Sequence, residues 1–346
     1  MTKGRNTIFK EKIGGMRRKK DGDSMSQVST NNSNINQRKV AMIGCGFVGA
    51  ATAFALMESG MFTEMVLIDA DKDRAEGEAM DISHGLPFAR PMKIYAGDYD
   101  DIVDAAIIII TAGANQKPDE TRLDLVNKNV AIYKSIIPEI AKRSFEGIIL
   151  VVSNPVDILT YVTLKLSGFT SNRVIGSGTV LDTARLKYNL SQHLEVDSRS
   201  VHAFIIGEHG DSELAVWSSA TVSGVPLDTF CEMRGHYNHD AAEERIAEEV
   251  KNSAYEIIEK KRATYFGVAM AVRRICEAII RDEESILPVS NLMQGEFGIS
   301  EVALSIPAIV GAKGVEEIVP ISLVEEELEK LRESAETLKG ILSEIL

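Results

Sequence analysis

The stretch Ile205–Asp211, IIGEHGD, sets His209, one of the chain's six histidines, between glycines just past an apolar run. A histidine so placed either shapes the turn or moves a proton. For the second task it needs a carboxylate to fix its tautomer and stabilise its imidazolium. The stretch GSGTVLDTARL (176–186) offers Asp182 and, three residues on along the same helix face, Arg185. A guanidinium there can grip the carboxylate of a keto-acid substrate through two parallel hydrogen bonds. Taken alone, Asp182 and Arg185 read as a surface ion pair; taken with His209, they read as an acid–base and anion-binding set. Upstream, TAGANQKPDETRLDLV (111–126) runs from an apolar segment into a polar loop with Gly113, Pro118 and Arg122. Such a loop can close as a lid, and Arg122 would bring a second cation to polarise a carbonyl. Asn154, in SNPVD (153–157), follows another apolar run.

A second pattern concerns a cofactor. GCGFVG (44–49) fits G-x-G-x-x-G, follows an apparent strand and opens an apparent helix, and Asp69 ends the next strand twenty residues beyond Gly49. In that setting Gly44 makes the tight turn, Gly46 lets the backbone approach a pyrophosphate at the helix N-terminus, and Gly49 permits close helix-to-strand packing. Phe47, Val48 and Thr111 are counted with them as cofactor-binding positions. Asp69 would accept hydrogen bonds from an adenosine ribose and repel a 2′-phosphate. Ala70 and Asp71 bring no compensating cation, so NAD is favoured over NADP.

These residues need elements to hold them. From Lys39 onward, short apolar runs (39–44, 65–69, 93–97, 105–111, 147–153) alternate with amphipathic stretches (47–59, 70–83, 123–144). Uniformly apolar strands between helices imply a parallel sheet covered on both faces, the α/β doubly wound or Rossmann architecture. After about residue 175 the pattern changes to a mixed α/β substrate-binding lobe. Residues 181–194 read as a helix, VHAFII (201–206) as one strand, 238–282 as helical with a break near 264–267, 285–319 as mixed strands, and the end of the chain as a helix. The expected division is a basic, polar, disordered head over 1–37, an NAD-binding domain over 38–175 and a catalytic domain over 176–346.

Composition narrows the class. Residues 1–39 hold ten Lys or Arg against three acids, and the remaining 307 residues carry a net −20 within a chain total of −13. An acidic body disfavours nucleic-acid binding. No run approaches the roughly 18 apolar residues of a membrane span. The head lacks the apolar core of a secretion signal. Cys45, Cys231 and Cys276 form no C-x-x-C pair, so neither a metal site nor a disulfide framework is expected and a cytoplasmic location is.

GCGFVGA, VLIDA, GDYDD, TAGANQKP, ETRLDLV, SNPVDILTY, VIGSGTVLDTARL, IIGEHGD and KRATYFGVAM together resemble the NAD-dependent L-lactate dehydrogenases within the lactate/malate dehydrogenase family. The resemblance runs from about Lys39 to the C-terminus and leaves out the head. It implies that His209 gives a proton to the carbonyl oxygen of pyruvate and takes one from the hydroxyl of L-lactate. Asp182 would orient His209, Arg185 would bind the substrate carboxylate, and Arg122 would polarise the carbonyl as the loop closes. Asn154 is implied near that carbonyl and the nicotinamide ribose, Ser177 near the nicotinamide amide, and Thr264 against the substrate methyl. A homotetramer is implied as well.

Gln116 bears on the substrate, because relatives that use oxaloacetate carry arginine at this position to neutralise a second carboxylate. An uncharged amide favours pyruvate over oxaloacetate. Bulkier 2-keto acids, malate chemistry and a nucleotide-binding protein without turnover are the alternatives. Asp119 stands where the family loop usually has glycine. Lys187 replaces the arginine that, with a partner such as His202, forms an anion site in relatives activated by fructose 1,6-bisphosphate. Activation here is left open, since lysine lacks the guanidinium fork.

Overall fold

The computed structural model describes residues 35–114 and 121–345; Gln116 and Asp119 lie outside them, as do residues 1–34 of the head expected over 1–37, whose Asn36 and Gln37 instead begin the first strand, Asn36 pairing with Ala105. The first half runs β1 (Asn36–Ile43), α1 (Phe47–Ser59), β2 (Glu64–Ile68), α2 (Lys72–His84), β3 (Lys93–Ala96), β4 (Ala105–Ile110), α3 (Arg122–Ala141), β5 (Ile148–Val151), α4 (Val156–Ser167) and β6 (Val174–Gly176). The second half runs α5 (Val180–Leu194), β7 (Val201–His202), β8 (Ile205–Ile206), β9 (Leu214–Ala215), β10 (Thr221–Val222), β11 (Val225–Pro226), α6 (Leu227–Met233), α7 (His239–Lys261), α8 (Phe266–Ile280), β12 (Ser285–Gln294), β13 (Ser300–Gly311), β14 (Gly314–Ile318) and α9 (Glu325–Ile345).

Strands β1 to β6 pair in parallel in the order 3-2-1-4-5-6, that of a doubly wound nucleotide-binding sheet. Successive strand residues feed opposite faces. Ile108 and Ile110 of β4 join the core beneath α3, α4 and α9, while Ile107 and Ile109 join the one beneath α1, α2 and α8. Both faces are covered, which is why these strands lack polar alternation. Truncating any of these isoleucines to alanine would cost roughly 2–5 kcal/mol.

Three features differ from the sequence reading. The strands between 285 and 319, read as part of the second lobe, extend the first sheet: β12 pairs antiparallel with β6, and β13 and β14 follow. VHAFII is not one strand. His202 pairs with Thr221 in a small sheet, whereas Ile205 pairs with Ala215 in another. Thr179 and Thr183 of the α5 region also claim the Ile205 backbone, with hydroxyl-to-carbonyl and amide-to-hydroxyl distances of 2.6 and 2.9 Å. Finally, α4 is a helix that apolar continuity conceals, since Val156 to Thr163 are all buried.

Candidate active site

Parallel strands end on one edge, and the predicted positions collect there. Gly44 follows β1, Asp69 follows β2, Thr111 follows β4, Asn154 lies just beyond β5, and Ser177 follows β6. A Cβ on Gly49 would stand 2.0 Å from the Gly44 carbonyl oxygen and 2.8 Å from Thr111 Oγ1, so only glycine lets α1 sit this close. A Cβ on Gly46 would meet nothing within 4 Å, leaving open space in front of the helix end. That end has no side-chain cap and no acidic residue in its first turn, so its amides and positive dipole face the opening. Asp69 is held ready: Oδ2 accepts the Cys45 amide at 2.6 Å and Oδ1 the Asp71 amide at 2.9 Å. This cradle fits a dinucleotide. Phe47 and Val48 open α1, and the Phe47 ring stacks on Tyr265 at 5.6 Å, which draws the α7–α8 link bearing Thr264 toward the glycine loop.

Asp182 and Arg185 are not a surface pair. Asp182 is buried, with Oδ1 accepting from Arg185 Nη1 at 2.8 Å and Oδ2 lying 2.6 Å from His209 Nδ1. One carboxylate thus holds both the guanidinium and the imidazole. Its contact with Nδ1 leaves Nε2 as the ring nitrogen free for a substrate oxygen. Burial works against the imidazolium, but the Asp182 carboxylate, aided by Asp157 and Glu213, outweighs it and holds the His209 pKa at about 9. Burial likewise opposes ionisation of Asp182, and His209 and Arg185 overcome it, keeping that carboxyl below its usual range.

The turn that carries His209 is tied from three sides. Gly207 has φ +90° and exchanges two backbone hydrogen bonds with Ser305 of β13, at 2.9 and 3.0 Å. The Glu208 amide donates to Ser334 Oγ of α9 at 2.9 Å. The His209 amide donates to Asp157 Oδ2 of α4 at 2.7 Å, and burial pushes the Asp157 pKa up to about 6. Ser334, Asp157 and Glu213 were not singled out from sequence. A signal existed for Ser334, a polar residue on a helix face shared with buried Leu331, Ala335 and Leu338.

Asn129 of α3 was missed in the same way, though it lies on the face of buried Val126, Val130 and Tyr133. Its Oδ1 accepts from the Ala114 amide at 2.7 Å and its Nδ2 donates to the Asn154 carbonyl at 2.7 Å. It therefore fixes the turn after β4 against the turn after β5. Asn129→Ala should cost about 1–3 kcal/mol for the unsatisfied groups it leaves. It should also lower kcat/KM by roughly tenfold through misplacement of Asn154. Denaturant melts and steady-state rates check both, and an unchanged kcat/KM would show that the clamp is dispensable.

Other predicted positions stand apart. Arg122 opens α3, and its side chain lies outside the described residues. Lys187 faces away from Asp182 along α5, half-buried, and burial pulls its pKa below the usual lysine value. His202 is exposed in β7. Asp182, His209 and Glu213 form the one group of His, Cys, Asp or Glu ligand atoms among the described residues close enough together to hold a metal ion, and none was predicted from sequence.

The raised pKa of His209 has a consequence for stability. The folded imidazole binds its proton more tightly than the unfolded one, so the contribution is complete below pH 6.5 and is lost as pH rises through about 9. Glu213, pushed up by burial and Asp182 to about 8, acts with the same sign. The apoprotein Tm should therefore fall between pH 7 and 9, and by less in His209→Ala. A flat wild-type profile in calorimetry would contradict this assignment.

A doubly wound sheet whose glycine loop and strand-end aspartate lie with a histidine and an arginine joined by one buried aspartate defines a dinucleotide-dependent oxidoreductase. The chain belongs to the lactate/malate dehydrogenase family: the model of its NAD-binding domain matches residues 38–176 and that of its α/β C-terminal domain matches residues 179–346. The chain is 56% identical over 311 residues to the L-lactate dehydrogenase of Acetivibrio thermocellus, covering 90% of this chain and 98% of that one. It is 54% identical over 307 residues to L-lactate dehydrogenase 1 of Clostridium acetobutylicum, covering 89% and 98%. Among solved structures, the minor L-lactate dehydrogenase of Enterococcus mundtii in its ligands-bound form superposes with a TM-score of 0.87 at 43% identity, covering 89% of this chain and 98% of that one.

Proposed function

We propose that this protein is an L-lactate dehydrogenase that interconverts pyruvate and L-lactate. The observation that carries the reading is the contact of His209 and Arg185 with a single buried carboxylate, Asp182, which supplies an acid–base group and an anion grip from adjoining positions. NAD supplies the hydride acceptor and donor when bound. His209 gives its Nε2 proton to the pyruvate carbonyl oxygen, or takes one from lactate. Asp182 fixes the ring and stabilises its cationic form, Arg185 binds the carboxylate, and Arg122 polarises the carbonyl. Asn154 and Ser177 address the carbonyl and nicotinamide side, and Thr264 meets the methyl group.

The test is an NADH-absorbance assay with pyruvate, oxaloacetate and branched 2-keto acids in parallel. Pyruvate should give the highest kcat/KM, and preference for either competitor would reassign the substrate. Gln116→Arg should shift the oxaloacetate-to-pyruvate ratio upward by about tenfold or more, because a second carboxylate gains its counter-charge. If the ratio stayed fixed, Gln116 would not be the discriminating residue.

The finer proposals are a cytoplasmic homotetramer and an anion site for fructose 1,6-bisphosphate at Lys187 and His202. Exposed Phe54 and Met270 on α1 and α8 support further association. Light scattering should return four chains. Fructose 1,6-bisphosphate should raise the rate at subsaturating pyruvate, and a rate that does not respond removes the activator.

A further inference from the structure

Glu213 sits four residues beyond His209, in a turn closed by its own amide on the Gly210 carbonyl at 3.2 Å. An oxygen of its carboxyl group, a ring nitrogen of His209 and an oxygen of Asp182 all lie within 4.8 Å of one another. Asp182 is already engaged on both oxygens, by Arg185 and by His209. A second carboxyl beside this pair has no part in the reaction as derived above. Among the described residues no lysine or arginine lies within ion-pair distance of it, because Arg185 is turned to Asp182 and Lys251 of α7 donates to the Asp211 carbonyl at 2.6 Å.

We propose that Glu213 is a positioning residue for the reaction, the third member of an ionisable cluster with Asp182 and His209 that keeps the imidazole in its protonated, donating form. The groups facing the cluster are Asp182 and Arg185 from α5, Asp157 from α4, Lys251 from α7 and His209 itself. Burial makes ionisation of Glu213 costly, Asp182 adds repulsion, and only the imidazolium, Arg185 and Lys251 favour its anion. Glu213 therefore ionises readily only while His209 is charged, and once ionised it resists loss of that charge. The two protons leave as a coupled pair. This extends the alkaline range over which the acid form of His209 persists, beyond what Asp182 alone provides.

The inference rests on the reading of the site as a pyruvate reductase, so its test has an arm that needs no turnover. Glu213→Gln removes the charge and keeps the shape, and Glu213→Asp keeps the charge at a greater distance. In the first arm, acylation of His209 by diethyl pyrocarbonate, followed by peptide mass spectrometry across pH, reports the neutral fraction of the imidazole. In the second, the alkaline limb of kcat/KM for pyruvate is followed at saturating NADH. Glu213→Gln should move both midpoints down by about one pH unit, with Glu213→Asp between it and the parent, and with NADH affinity unchanged. Absence of pyruvate-dependent NADH oxidation in the parent protein would sink the functional reading, while the acylation profiles would still decide the role of Glu213. Unmoved midpoints in both variants would overturn the proposal, as would a loss of rate that is the same at every pH, which marks a purely structural residue.

Discussion

His209→Ala is expected to lower the rate of pyruvate reduction by roughly 10² to 10⁴, the usual contribution of a positioned acid–base group, with NADH binding retained. The variant should fold, for a reason visible in the geometry. Asp182 loses one partner but keeps Arg185 at 2.8 Å, so the buried carboxylate is not left without a counter-charge. The backbone of the turn is held independently, by Ser305, Ser334 and Asp157. The cofactor cradle is built from β1, α1, β2 and β4 and does not include the turn. Fluorescence titration with NADH separates binding from chemistry, and near-normal turnover with intact binding would refute a proton-transfer role.

Asp182→Asn should be as damaging to rate and more damaging to stability. The amide cannot stabilise an imidazolium, so the force that raises the His209 pKa to about 9 is mostly removed while burial, which lowers it, remains. In the proposed mechanism pyruvate reduction requires the protonated ring, so its alkaline limb should move to lower pH and activity at pH 8 should fall steeply, by roughly 10² to 10⁴ overall. Lactate oxidation requires the neutral ring, so its acid limb must move the same way. Arg185, with its side chain only 14% exposed, is left without its carboxylate partner. Removing one member of a buried ion pair costs roughly 3–5 kcal/mol. Parallel pH–rate profiles and melts of both variants decide the matter: an alkaline limb that stayed near 9 would show that Asp182 does not set the protonation of His209.

Much of the first half was legible because its signals are local. A glycine loop, its preceding strand and a strand-end aspartate fall within about thirty residues, and each isoleucine of β4 has the same meaning whichever face it occupies. The break between α7 and α8 was legible too, since RATYFG interrupts two amphipathic runs. The limits came where a residue's partner is remote. Nothing near VHAFII says that its ends pair with different strands, because the competing partners are Thr221, Ala215 and the hydroxyls of Thr179 and Thr183. Asn129 reads as an ordinary polar residue until the turns after β4 and β5 are brought to it.

By itself the sequence determined the class of sheet, the glycine loop proposed to hold the dinucleotide and the candidates His209, Asp182 and Arg185, because local periodicity and residue chemistry mark each of these. Only the tertiary structure decided that β12 to β14 continue the first sheet, and that a buried Asp182 joins His209 and Arg185. It alone set Glu213 beside that pair and tied the turn through Ser334, 125 residues beyond His209. Backbone pairing and the burial of charge depend on which distant surfaces meet. Spacing along the chain does not record that.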